Sequence, residues 1–167
     1  MPGPFRVEAL GERHDRATFA SGVEPLDRYL RAQAGQDVRR RTASCFVLVA
    51  GDDPAPLGYY TLAATSIALG GLPAETARRL PRYPAVPATL MGRLAVDRRH
   101  RGQRLGELLL FDAFSRTLRS EIASFAFVVD AKDERAAAFY ARYRFLPLVE
   151  GGRRLFVPMA EVARLFA

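Results

Sequence analysis

The sequence predicts an α/β fold, a mixed and mostly antiparallel sheet with helices on both faces. Two patterns carry this reading. The apolar run Ser44–Ala50, the turn Gly51-Asp52-Asp53-Pro54 and the long run Leu57–Leu69 make an antiparallel hairpin. Further on, Thr89–Val96, a helical stretch to about Arg119 and Ser124–Asp130 form a strand–helix–strand unit. Its right-handed crossover places the two strands parallel and adjacent. The chain has 167 residues, of which 49% are apolar, enough for a proper core, so one domain spanning residues 1–167 is expected.

The remaining elements follow in order. Phe5–Leu10 can form a first strand. Between Ala17 and Val38 the period changes, with Leu26, Tyr29, Leu30, Ala34 and Val38 at helical spacing. Gly22 and Pro25 break that region into a short helix, a turn, and a longer helix from about Glu24. Arg39-Arg40-Arg41 sits near its C-terminal end, where cations suit the helix dipole. Gly70–Pro87 is irregular, punctuated by Pro73, Pro81, Pro84 and Pro87, with one helical turn over Ala74–Leu80; a connection this long is usually functional. Asp133 can cap a helix holding Ala136, Ala137, Phe139, Tyr140 and Tyr143. Phe145–Val149 and Leu155–Val157 read as closing strands, and Met159–Phe166 as a last helix.

Composition excludes several function classes. A single cysteine, Cys45, rules out an internal disulfide and a multi-cysteine zinc site, and two histidines, His14 and His100, are too few to argue for a metal. Pro54–Ala74 lacks charge, but its prolines and glycines suit two buried strands and a turn better than a membrane helix. The first residues contain no apolar signal region, so a cytoplasmic protein is expected. The 25 basic residues exceed the 18 acidic ones, for a net charge of +7, and Lys132 is the only lysine. Clustered arginines suit a polyanionic partner, since their forks match phosphate, while a simply soluble basic surface is the plainer reading.

The chain is organised around Arg93–Leu110. A short apolar run, Leu94-Ala95-Val96, stops at Asp97; a basic turn follows, then Gly102-Gln103-Arg104-Leu105-Gly106 opens a helix. A strand, a glycine-flanked turn and a helix N-terminus are one way to hold a pyrophosphate, because the first helical N–H groups lack intrahelical partners and face an anion favourably. On these residues alone, a basic surface loop is an equal alternative.

These pieces resemble the GNAT-fold acyltransferases, which use acetyl-CoA. That family follows a Leu/Ala-Val strand with an Arg/Gln-x-x-Gly-x-Gly/Ala turn; here the turn is Arg101-Gly102-Gln103-Arg104-Leu105-Gly106, with Arg104 in place of the first motif glycine. A second signature, Asn-x-x-Ala-x-x-Phe-Tyr-x-x-x-Gly-Phe, is matched by Asp133, Ala136, Phe139, Tyr140 and Arg144-Phe145, with Asp133 and Arg144 as departures. Phe19–Asp37, the segment from Leu80 to Asp97, and Val129–Phe145 together resemble the GNAT toxins of toxin–antitoxin pairs.

The resemblance implies a function and a set of roles. The expected activity is acetyl-CoA-dependent N-acetylation of the α-amino group of aminoacyl-tRNA, which blocks translation. Leu94, Ala95 and Val96 would offer backbone groups to pantetheine as an added strand does. Backbone N–H groups of Gly102, Gln103, Arg104, Leu105 and Gly106 would hold the pyrophosphate, with Arg101 and Arg104 facing the phosphates, and Asp133 and Phe139 would complete the cofactor side. Tyr140 would protonate the departing CoA thiolate; an unperturbed phenol titrates near ~10. Arg78, Arg79, Arg82 and Arg93 are the arginines expected to meet tRNA. No general base stands out among Asp97, Glu107 and Asp130, and Cys45 reads as a core residue. The implied partners are a ribbon-helix-helix antitoxin, operator DNA through it, and a second copy of the chain in a homodimer, with no membrane. Two alternatives stay open: a GNAT enzyme acting on a small amine or protein amino group, and a binding module of the same fold.

Overall fold

The computed structural model describes residues 4–167. Among the described residues, seven strands are ordered β1-β2-β3-β4-β5-β7-β6. They are β1 (Phe5–Ala9), β2 (Ser44–Ala50), β3 (Gly58–Ala68), β4 (Ala85–Val96), β5 (Ala126–Asp130), β6 (Leu146–Pro147) and β7 (Arg154–Pro158). The helices are α1 (Glu24–Arg28), α2 (Ala34–Arg40), α3 (Ala74–Ala77), α4 (Leu105–Arg119), α5 (Glu134–Ala141) and α6 (Met159–Leu165). The pair β4–β5 is parallel, with Ala88 opposite Ala126 and Met91 opposite Val129. The pairs β1–β2, β2–β3, β5–β7 and β6–β7 are antiparallel. The expected hairpin and strand–helix–strand unit are therefore both present.

Internal contacts divide the chain into two compact units, Met1–Ala63 with Gly92–Ser115, and Ala64–Met91 with Arg116–Ala167. In the first, strand alternation puts helices on both faces of the sheet. Tyr59 points to one side, where its hydroxyl donates to the Leu26 carbonyl at 2.6 Å and its ring stacks on Tyr29. Its neighbours Gly58 and Tyr60 point to the other, where the Tyr60 hydroxyl donates to Asp112 of α4 at 2.6 Å. Gly58 has to be a glycine there: a Cβ would lie 2.8 Å from Leu109 and 2.9 Å from the Ala95 carbonyl. The core on the Tyr59 side gathers Phe19, Leu30, Ala34, Val47 and Ala95.

The second unit has its own core of Ile67, Leu72, Val86, Ala88, Val128 and Phe156. A further cluster of rings joins α5 to β5, with Phe145 edge-on to Phe127 and packed against Tyr140.

Four elements differ from the expectation. Ala17–Gly22 forms turns rather than a short helix. The long helix from Glu24 is interrupted by a π-helical turn, Tyr29–Gln33, in which the Ala34 N–H reaches back to the Tyr29 carbonyl. β4 begins at Ala85, inside the proline-punctuated segment, and the Pro87 carbonyl still accepts from Phe125 N–H at 2.9 Å. The strand expected over Phe145–Val149 is reduced to Leu146–Pro147, since the left-handed Arg144 before it and Pro147 within it limit regular pairing.

Candidate functional site

In the first unit the site starts from the end of β4. β4 pairs with β5 over Ala88–Met91, and Leu94, Ala95 and Val96 follow at the far end of the same strand. Ala95 is buried in the core on the Tyr59 side, and Leu94 and Val96 are half-buried. The strand ends at Asp97, whose N–H donates to the Leu57 carbonyl at 2.8 Å. A 3-10 turn, Arg98–His100, follows, and then the exposed stretch Arg101-Gly102-Gln103-Arg104 leads into α4. Leu105 is buried and anchors the helix start, Gly106 is half-buried, and the Arg104 carbonyl accepts from Leu108 N–H.

The turn keeps a left-handed backbone at two points, Gly102 with φ +82° and Arg104 with φ +57°. Arg104 thus adopts the conformation a glycine would adopt freely. The same holds at Arg144, φ +69°, the other position where arginine stands for a motif glycine. Arg104 is exposed, and Arg144 is paired with Glu161 at 3.0 Å.

The sequence offers Asp97 as a strand terminator or a candidate base. Its carboxylate is 0% exposed. It accepts from Arg99 N–H at 3.0 Å, from the Arg99 guanidinium twice at 2.9 Å, and from Ala20 N–H at 3.2 Å. Burial pushes its pKa up, but these hydrogen bonds and the Arg99 charge outweigh burial and hold it at about 2. Arg101, expected at the phosphates, donates through Nη2 to the Ser21 carbonyl at 2.8 Å. Arg93 lies with its guanidinium 3.6 Å from the Tyr29 ring centre, and the Tyr29 hydroxyl donates to Asp37 at 2.6 Å. Cys45 is buried in the same region, and burial pushes its thiol up to about 12.

In the second unit, α5 carries Phe139 and Tyr140. Asp133 caps it as expected, accepting from Ala136 N–H at 2.8 Å. Phe139 is half-buried and sits edge-on to both Tyr140 and Tyr143. The Tyr140 ring is buried against Phe139 and Phe145. No hydrogen bond to its hydroxyl occurs among the described residues. Burial, and then the charge of Asp130, push this phenol well above its ordinary pKa. Asp130 is itself held by a two-pronged ion pair with Arg154, at 2.7 and 2.9 Å. Arg78, Arg79 and Arg82 are exposed on the segment around α3, beside Tyr83, which is 62% exposed.

Among the described residues no group of histidine, cysteine and carboxylate side chains could hold a metal, and no helix is long and apolar enough to cross a membrane. Within the first unit, a strand end, a left-handed turn and a helix N-terminus follow one another, an arrangement that suits an anionic ligand.

Several known proteins are similar to this chain. The chain is 35% identical over 147 residues to the tRNA-acetylating toxin of Mycobacterium tuberculosis strain H37Rv, covering 87% of this chain and 86% of that one. A tyrosine-to-phenylalanine mutant of KacT superposes with a TM-score of 0.89 at 30% identity, covering 97% of this chain and 99% of that one. AtaT complexed with acetyl-methionyl-tRNAfMet gives 0.87 at 28% identity, covering 98% and 100%. Similar structures hold acetyl-CoA (AtaTR, TM-score 0.83, 29% identity) and DNA (KacTA, 0.80, 28%), each covering 98% of both chains. Residues 8–145 match the acetyltransferase (GNAT) family, and the chain belongs to it.

Proposed function

We propose that this protein transfers acetyl from acetyl-CoA to the α-amino group of aminoacyl-tRNA and so blocks translation. The observation that carries the reading is the likeness over nearly the whole chain to a tRNA-acetylating toxin and to AtaT with its acetylated aminoacyl-tRNA. In this reading the backbone of Leu94–Val96 takes the pantetheine amides, and the N–H groups of Gly102–Gly106 and the exposed Arg104 take the pyrophosphate. Asp133 and Phe139 act through α5, the one by starting the helix and the other by packing beside Tyr140.

The amine attacks the thioester carbonyl carbon, the C–S bond breaks, and the sulfur takes a proton as the amine loses one. In this reading the Tyr140 hydroxyl, protonated at neutral pH, donates to that sulfur. No strong base is required: an α-amino group titrates near ~7.7–8.0, so part of it is already neutral at pH 7. Asp97 and Asp130 suit the role poorly, being bound up with Arg99 and Arg154. A covalent route through Cys45 is disfavoured by its burial and by a thiol held at about 12. Direct transfer is the mechanism that fits.

The tRNA contact in this proposal rests on Arg78, Arg79 and Arg82, with Tyr83 offering a stacking surface. Arg93, the fourth arginine expected at tRNA, lies over the Tyr29 ring. An antitoxin of ribbon-helix-helix type, operator DNA reached through it, a homodimer and a cytoplasmic location complete the proposal; the KacTA–DNA complex supports the DNA part.

The test is transfer of labelled acetyl from acetyl-CoA to a panel of charged tRNAs. Label should appear on charged tRNA and not on uncharged tRNA, and no label on any of the panel would overturn the substrate. In the same assay Tyr140→Phe should bind acetyl-CoA with unchanged affinity by calorimetry and lose 100-fold or more in kcat, on the order of a lost general acid. Unchanged turnover would remove Tyr140 from the reaction.

A further inference from the structure

The segment Phe19–Asp37 carries part of the toxin resemblance, yet acetyl transfer as derived above gives it no task. Its first residues are tied to the cofactor turn at several points. Arg98 N–H donates to the Ala20 carbonyl at 2.9 Å, and Ala20 N–H donates to Asp97 at 3.2 Å. The Arg101 guanidinium donates to the Ser21 carbonyl at 2.8 Å. Ser21 is in turn held from behind. Its N–H and its hydroxyl both donate to one oxygen of Asp27, at 2.9 and 2.6 Å, and its hydroxyl accepts from Val23 N–H at 3.2 Å. Ser21 and Asp27 are 6% and 4% exposed, so these bonds form away from water, where a missing partner is costly.

Gly22 fits the same device. Its φ is +93°, and a Cβ on it would lie 3.0 Å from Arg101 Nη2. A side chain there would strain the backbone and crowd the guanidinium that reaches Ser21. Asp27, Ser21 and Arg101 thus make a chain from α1 to the first residue of the glycine turn.

We infer that this chain is a brace that sets the pyrophosphate turn, with Asp27 and Arg101 as positioning residues for acetyl-CoA. Arg101 acts through the Ser21 carbonyl. A brace holds the N–H groups of Gly102–Gly106 in their binding geometry before the donor arrives, which lowers the ordering cost of binding. The inference rests on the reading that acetyl-CoA is the donor.

The experiment compares acetyl-CoA with S-acetylpantetheine, which has the same thioester but no pyrophosphate. Asp27→Ala and Arg101→Met should each weaken acetyl-CoA binding by calorimetry, and raise its KM, on the order of tenfold, with kcat nearly kept. The kinetics with S-acetylpantetheine should not change. Combining the two substitutions should cost little more than the larger single effect, because they break one chain. If Asp27→Ala does not fold, Ser21→Ala, which removes the hydroxyl bonds alone, should show the same donor split at smaller size. Equal losses with both donors, or unchanged acetyl-CoA affinity in the Asp27 and Ser21 variants with loss in Arg101→Met alone, would overturn the brace; the latter would make Arg101 a direct phosphate ligand. Failure of the wild-type protein to bind acetyl-CoA would instead overturn the donor assignment itself.

Discussion

Arg104 shows how a motif can lose its residue and keep its geometry. The family's turn has glycine at this position, and here an arginine takes φ +57°. A left-handed conformation costs a non-glycine residue about 1–2 kcal/mol, while glycine loses more backbone entropy on folding. Arg104→Gly should therefore stabilise the protein by up to about 1 kcal/mol, a rise of a few degrees in thermal midpoint for a chain of this size. Calorimetric melting checks it, and a lowered midpoint would show that the arginine side chain holds the turn. In the proposed site, acetyl-CoA affinity of the same variant reports whether the Arg104 guanidinium contributes to binding. The departure from the motif was readable in sequence; that the backbone stays left-handed at both Arg104 and Arg144 was not, because φ depends on the turn around the residue.

At the scale of elements, the parts with local signals were the legible ones. Alternation marked the β2–β3 hairpin, helical period marked α4, and Asp133 three residues before Ala136 marked the start of α5. The π-helical turn was invisible because one inserted residue barely disturbs an apolar period. β4 is longer than its sequence suggests because prolines count as strand breakers, although Pro87 keeps a usable carbonyl. The role of Asp97 is hidden in sequence for another reason: one of its partners, Ala20, lies 77 residues away. Its carboxylate ties the end of β4 to the following turn, so its ionisation belongs to the stability of that junction. A pKa of about 2, against about 3.9 in the unfolded chain, contributes roughly 2 kcal/mol at neutral pH. That contribution is whole above pH ~4 and is lost as pH falls through about 2. Asp97→Asn should remove most of it, so the stability gap between wild type and variant should narrow as pH drops from 5 to 2 in urea unfolding. A gap independent of pH would show that the hydrogen bonds matter and the charge does not.

For the whole molecule, the question is whether a net charge of +7 is solubility or recognition. The arginines do not behave alike. Arg99, Arg144 and Arg154 are paired with carboxylates, Arg93 lies on Tyr29, and Arg101 is tied to Ser21. Arg78, Arg79 and Arg82 are exposed around α3, where Glu75 is 3.7 Å from Arg78, too open a pair to neutralise it. A cluster placed this way can exchange solvent counterions for phosphates. Each phosphate contact lowers the log–log slope of binding against salt by about 0.7–0.9, so replacing all three arginines with glutamine should flatten the slope by about 2–3. The KM for charged tRNA should rise most at low salt, where the counterion term is largest, and the KM for acetyl-CoA should stay where it is. An unchanged slope would place the tRNA elsewhere on the surface and return these arginines to the role of a solvated face. A change in the acetyl-CoA constant as well would mean that the segment acts on the donor side, and the division of labour between the arginine clusters would have to be redrawn.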